Sequence, residues 1–277
     1  MKEQVFTVIK RDRVLFAIAL ILSILITGWY LYIHSFDLNT TERIRQLWGS
    51  MYQVMAIFGC IIGFRASKKW SGYKSIIGNA ILFFSIGLLL QSFGQSVDSY
   101  YNFFQNQAIP YPSMGDIGFF GSVIAYIVGA GYLLKATGFQ FIVKSMRKKL
   151  LVVIVPLIVL ISCYLFFLQG YTFDWSNKIK ILLDFGYPLG QAIYVSIALI
   201  AYLISRNYNL GAMKWPLLFL LIALAFQYFA DFTFLYQANA NTWYVGGLND
   251  YLYFISYFSM TLALLYMGGV RRILPEL

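Results

Sequence analysis

Charge is scarce in this 277-residue chain. Asp, Glu, Lys and Arg make up 12% of it, about half the share that a water-facing globular surface carries. Histidine is almost missing: His34 is the single one, which excludes paired-histidine haem ligation and HExxH zinc chemistry. The two cysteines, Cys60 and Cys163, each lie inside an apolar run. They supply neither a disulfide framework nor a metal motif and read as small buried hydrophobes. There is no Walker loop and no GxSxG elbow. The run YLYFISYFSMTLALLYM has no lysine to carry retinal. SMGD and GLND are incomplete versions of the GxGD signature of intramembrane aspartyl proteases. No catalytic residue, metal or cofactor is therefore expected, and the chain does not read as an enzyme. A cleavable leader is not expected either, because the first apolar run, Val14–Tyr32, is long enough to span and no small-residue cleavage site follows it.

What fills the sequence instead is apolar. Hydrophobic residues reach 60% and aromatics 19%, and mean hydropathy is +0.69. A membrane-crossing helix needs about 20 mainly apolar residues in a row, and such runs recur along the chain. They predict an all-α polytopic membrane protein, a single transmembrane domain over 1–277, with about eight transmembrane helices at 14–34, 49–65, 76–97, 115–135, 150–169, 181–205, 215–237 and 247–269. Run 49–65 is short and holds Gln53. As a re-entrant segment it would lower the count to seven and move the N-terminus outside. Pro112 and Pro188 read as helix-start prolines, and Pro156 as a kink in the fifth span.

Charge placement favours the even count. With eight spans, every Lys and Arg except Arg43, Arg45, Lys178 and Lys180 falls on one side, together with both termini. Basic residues in short loops stay cytoplasmic, so both termini are expected inside the cell (cytoplasmic) membrane. The formal charge of +10 is then a record of topology and of attraction to anionic lipid headgroups, and no nucleic acid partner is expected. The acids show the opposite bias. Only Glu3, Asp12 and Glu276 fall on the basic side.

Polar positions repeat. Gln91 and Gln95 correspond to Gln227 and Asp231 at an offset of about 136, Asp116 to Asp250 at about 134, and Gln53 to Gln191 at about 138. This spacing predicts two tandem four-helix halves, 14–135 and 150–269, sharing one orientation about an axis along the membrane normal.

The same residues are the candidate site. Gln91 and Gln95 are spaced i, i+4, as are Gln227 and Asp231, so each pair shares one helix face. Together with Asp98, Asp116, Asp184, Gln191 and Asp250 they fall within about two turns of the outer surface. Ionisable groups inside a span are costly and normally face a bundle interior or a watery cavity. They predict an acidic ligand-binding pocket open to the outside, walled by Trp48, Tyr52, Tyr111, Tyr187, Trp243, Tyr244 and Tyr251. Simpler roles stay open. Asp116 and Asp250 are also placed to cap helix N-termini, and the glutamines to bond across helices. His34 reads as an interfacial residue.

The segment AIPYPSMGDIGFFGSVIAYIVGAGYLL resembles the multi-pass membrane sensor regions found ahead of bacterial GGDEF-type diguanylate cyclases and some histidine kinases, which read P-x-Y-P-S-x-x-D at a helix start. DFGYPLGQ, with Asp184, Tyr187 and Pro188, is similar to their D-x-x-Y-P-L-x-D element, Gln191 standing in place of an acid. FADFTFLYQANANTWYVGGLNDYLYFISY, with Asp231, Tyr244, Gly247 and Asp250, is similar to an A-D…Y…G…D…W element, with Tyr253 or Phe254 where a tryptophan is common. The resemblance implies sensing or ligand binding at the outer face. The partner expected there, from the acidic pocket, is a small molecule or cation. No output domain lies within these residues, so the signal is expected to pass to a separate cytoplasmic signalling protein. Two other readings remain at this point: a transporter or channel of a small cation or proton, and an accessory subunit held by a membrane partner. The topology is checked by alkaline phosphatase fusions, which should be active after Gln107 and inactive after Arg147.

Overall fold

The structure is a computed structural model that describes residues 12–35, 42–107, 109–137, 146–165, 169, 173, 175–207, 213–239 and 242–271. Among these residues there is no strand. The helices are α1 (Arg13–Ser35), α2 (Glu42–Met51), α3 (Val54–Lys69), α4 (Ile76–Phe104), α5 (Gly115–Ala136), α6 (Met146–Cys163), α7 (Lys178–Asn207), α8 (Lys214–Asn239) and α9 (Leu248–Val270). Seven helical stretches among the described residues are long and apolar enough to cross a membrane, and α2 with α3 counts as one of them, Glu42–Lys69. The interruption at Tyr52–Gln53 is slight, since Gln53 keeps right-handed helical dihedrals. The helix α6 falls short of that group. Its 18 residues open on Met146, Arg147, Lys148 and Lys149, and part of the expected fifth span 150–169, at 166–168, lies outside the described residues.

Six helices close into a ring. In order around it, α3 packs on α4, α4 on α5, α5 on α7, α7 on α8, α8 on α9, and α9 returns to α3. The ring therefore consists of two runs of three consecutive helices. The helix α1 lies outside, against α9, α2 and α3, and α6 lies outside against α7. Burial follows this plan. In α1, Ile21, Ile24 and Leu25 stay more than half exposed, whereas α9 buries nearly every side chain from Ser256 to Val270. Exposed apolar residues of that kind suit a lipid surround.

Between apolar helices in lipid there is no hydrophobic gain from association, so close backbone approach and dispersion must hold them. The contact of α4 with α5 shows how. A Cβ at Gly118 would lie 2.5 Å from the Leu90 carbonyl oxygen and 2.6 Å from the Gly94 nitrogen; only a glycine lets these backbones touch. Polar tethers fix the ends. Trp48 Nε1 donates to the Ile26 carbonyl at 2.9 Å, tying α2 to α1. Trp70 Nε1 donates to the Met267 carbonyl at 2.9 Å, tying the end of α3 to α9. Ser75 caps α4 by accepting from Gly78 N–H at 2.9 Å and donates back to the Trp70 carbonyl.

Proline placement departs from the expectation in one case. The helix α7 starts at Lys178, so Pro188 lies inside it and removes an N–H that would bond the carbonyl of Asp184, four residues earlier. Pro156 does lie inside α6. The glycine contact makes a quantitative prediction. Gly118→Ala should lower unfolding stability in detergent by about 1–3 kcal/mol, the cost of overpacking. Gly131→Ala, where an added Cβ meets nothing within 4 Å, should leave it unchanged or raise it, because alanine is the better helix former.

Candidate functional site

Near one end of the ring the helices expose polar rather than apolar rows to one another. On α4, Gln91, Gln95 and Asp98 follow the i, i+4, i+7 row of one face, and all three are buried. On α9, Asn249, Tyr253 and Tyr257 are spaced by four and also share a face. On α8, Gln227 and Asp231 do the same, with Phe234 and Leu235 continuing the row outward.

The deepest layer is a set of neutral hydrogen bonds. Gln91 Nε2 donates to Ser122 Oγ at 2.6 Å, and Tyr257 Oη donates to Gln91 Oε1 at 2.9 Å. Ser256 Oγ donates to Gln227 Oε1 at 3.2 Å. One turn higher, Tyr52 Oη donates to Gln95 Oε1 at 2.7 Å, while Gln95 Nε2 reaches the Gly49 carbonyl at 3.2 Å and Asp98 Oδ2 at 3.3 Å. Asp231 is held from three helices: by Gln191 of α7, Gln227 of its own helix at 3.3 Å and Tyr253 of α9. All three of these donors are neutral.

The two helix-start aspartates are capped alike. Asp116 Oδ2 accepts from Ser113 N–H at 2.7 Å, and Asp250 Oδ2 accepts from Gly246 N–H at 2.7 Å. Asp116 has a further bond, from Tyr187 Oη to its Oδ1 at 2.8 Å, which crosses from α7 to α5.

Above these groups lies a cavity of about 110 Å³. Asp98, Asp116, Asp231 and Asp250 all line it, and so does Gln95. Its aromatic wall includes Tyr52, Phe119, Tyr187, Phe234, Trp243 and Tyr253, with Tyr111 at the loop that enters α5. Among the described residues, no Lys, Arg or His lines it. Among the described residues, no three His, Cys, Asp or Glu side chains converge as metal ligands. The carboxylates thus surround a volume rather than a point. Such a chamber favours a cation, through charge and through the negative faces of the rings. Beneath it the ring is filled by buried Phe84, Leu88, Tyr126, Tyr194, Met260 and Leu264.

Of the residues singled out from the sequence, Asp116, Asp231, Asp250, Gln95 and Tyr187 line the cavity. Gln91, Gln191 and Gln227 lie behind or below it and bond residues of the same network. Asp184 is outside but accepts from Tyr111 Oη at 2.8 Å. Tyr244 is also outside and exposed, with the Arg45 guanidinium 5.4 Å over its ring. Trp48 is fully buried under α1, and Tyr251 stacks on Tyr30 at 4.3 Å; neither forms the wall. Asn249 and Tyr253 are among the lining residues that passed unnoticed as site residues, as are Ser113, Phe119 and Phe234. For Asn249 and Tyr253, the spacing of four, ending on Tyr257, was the available signal.

Comparison with known proteins yields no match to a family, to a curated protein or to a solved structure. The Asp231 network predicts a difference between two substitutions. Asp231→Leu leaves the donors of Gln191, Gln227 and Tyr253 unmet, at about 1–3 kcal/mol for each buried group. Asp231→Asn keeps an acceptor there. The leucine variant should unfold at a clearly lower temperature than the asparagine variant, and equal midpoints would contradict the network.

Proposed function

We propose that this chain is an integral membrane sensor that binds a small cationic molecule at its extracytoplasmic face and passes its occupancy to a cytoplasmic partner. The observation that carries this reading is the cavity lined, among the described residues, by four aspartates and by no basic side chain. Charge placement supports the orientation. Asp98, Asp116, Asp231 and Asp250 gather at one end of the ring, while Arg65, Lys68, Lys69 and Lys135 occupy the other ends of α3 and α5, and basic loops are retained inside. With α6 counted as a span, both termini are cytoplasmic.

The tandem arrangement is part of the proposal. Its support is one pair of corresponding bonds: Gln91 with Ser122 matches Gln227 with Ser256. Gln53, the counterpart of Gln191 in the repeat, instead bonds Ser96 and the Ser50 carbonyl. The halves then meet along two seams, α5 against α7 and α9 against α3. A ligand signals only by binding two states of a protein unequally. A cation at Asp116 competes with the Tyr187 hydroxyl, the bond that crosses the α5–α7 seam, and so acts on the relative position of the halves. The sensor reading also accords with the resemblance of the PYPSMGD and GGLND stretches to sensor regions. Large buried side chains below Gln91 and Tyr257, among them Phe84, Leu88, Tyr126 and Leu264, fill the ring there and favour a sensor over a transporter.

The test is ligand-dependent thermal stability of the purified chain. Methylammonium chloride should raise the unfolding midpoint logarithmically with its concentration, by the equivalent of about 2.7 kcal/mol at a hundredfold excess over its Kd, and sodium acetate should not. The response should be lost in Asp116→Asn and Asp231→Asn. An identical response in parent and both variants would sink the reading.

A further inference from the structure

The polar groups of the cavity are not all spoken for. Asn249 is 1% exposed and lines the chamber, yet neither its Nδ2 nor its Oδ1 has a hydrogen-bond partner. An amide buried without partners costs free energy comparable to the bonds it forgoes. Trp243, on the same wall, has a buried Nε1 that is likewise without a partner. By contrast, the carboxylates of Asp116, Asp231 and Asp250 each already accept from the protein. The chamber therefore offers two spare donors, Asn249 Nδ2 and Trp243 Nε1, and one spare amide acceptor, Asn249 Oδ1, beside four aspartates.

These groups define a chemistry. The spare donors call for an acceptor on the ligand, and the aspartates make an anionic acceptor unfavourable. The acceptor is then neutral: a hydroxyl, an ether or a carbonyl. The spare acceptor and the carboxylates call for N–H donors carrying positive charge, which a primary ammonium has and a quaternary ammonium lacks. Size narrows the class. A cavity of about 110 Å³ is smaller than the roughly 150 Å³ engineered cavity that holds benzene, so the part of the ligand held inside is small, about six non-hydrogen atoms or fewer.

We infer that Asn249 and Trp243 form a specificity subsite, and that the chamber takes a small primary ammonium compound bearing a neutral hydrogen-bond acceptor. This rests on the proposal that the chamber binds a cation, and the experiment separates the two.

The experiment titrates the purified full chain, in lipid nanodiscs at neutral pH, with ethanolamine, ethylamine and choline, reading thermal midpoint and calorimetric Kd. Ethanolamine and ethylamine differ by a hydroxyl in place of a hydrogen, and both are cations. Ethanolamine should bind about tenfold more tightly than ethylamine, the worth of one well-made hydrogen bond to an otherwise unmet group. Choline should bind most weakly. Asn249→Ala should erase the advantage of ethanolamine while leaving ethylamine binding intact. If Asn249→Ala does not fold, Trp243→Phe serves, because it keeps an aromatic ring and loses the N–H; it should narrow the ratio. Equal affinity for ethanolamine and ethylamine, or tighter binding of choline, overturns the inference and leaves the cation reading standing. Absence of any response to all three overturns both.

Discussion

Carboxylates inside a helical bundle in lipid need donors, water or a counter-charge, because burying an unmet charge in a low dielectric is far costlier than any gain from packing it. Asp231 satisfies that demand with three neutral donors drawn from α7, α8 and α9. The requirement shapes what surrounds it. Gln191, Gln227 and Tyr253 must be held at fixed rotations, which orients the three helices about a common point. The same demand at Asp116 brings α7 to α5 through Tyr187. Four carboxyl groups around one chamber, with no basic side chain among the described lining residues, are the basis on which a cationic ligand is proposed.

The rest of the fold supplies rigidity for this arrangement. Backbone contact at Gly118 locks α4 to α5, and Trp70 fastens the far end of α3 to α9. Buried aromatics, Tyr126 against Tyr194 and Phe84, close the ring below the chamber. Preorganisation of this kind lowers the ordering cost of binding.

Much of this was legible in the sequence, and for a simple reason. Lipid imposes a length on apolar runs, so helix boundaries follow from composition: α1, α4, α5, α8 and α9 begin within a residue or two of where hydropathy places them. The recurrence of Gln91, Gln95, Asp116, Gln227, Asp231 and Asp250 marked the polar layer. Rotation about each helix axis was not legible. It decides that Gln91 and Gln227 turn into the helix contacts while Asp98 and Asp231 face the chamber, and that Trp48 and Tyr251 are covered by α1. Asn249 was hidden by its neighbour, since in GGLND the aspartate reads as the cap and the asparagine as filler. Pro188 misled because the polar start of α7, Lys178 to Lys180, precedes the apolar run by which its beginning was judged.

The account stands on the four carboxylates facing one cation-holding space. The most direct measurement is nitrogen-to-carbon dipolar coupling by solid-state NMR, with ¹⁵N-methylammonium added to protein carrying ¹³C at the aspartate side-chain carboxyl carbons, in lipid. The account predicts dephasing at Asp116 and Asp231 that saturates with ligand and disappears on competition with unlabelled methylammonium. Dephasing confined to aspartates outside the chamber, such as Asp12 or Asp184, or none at saturating methylammonium, would contradict it.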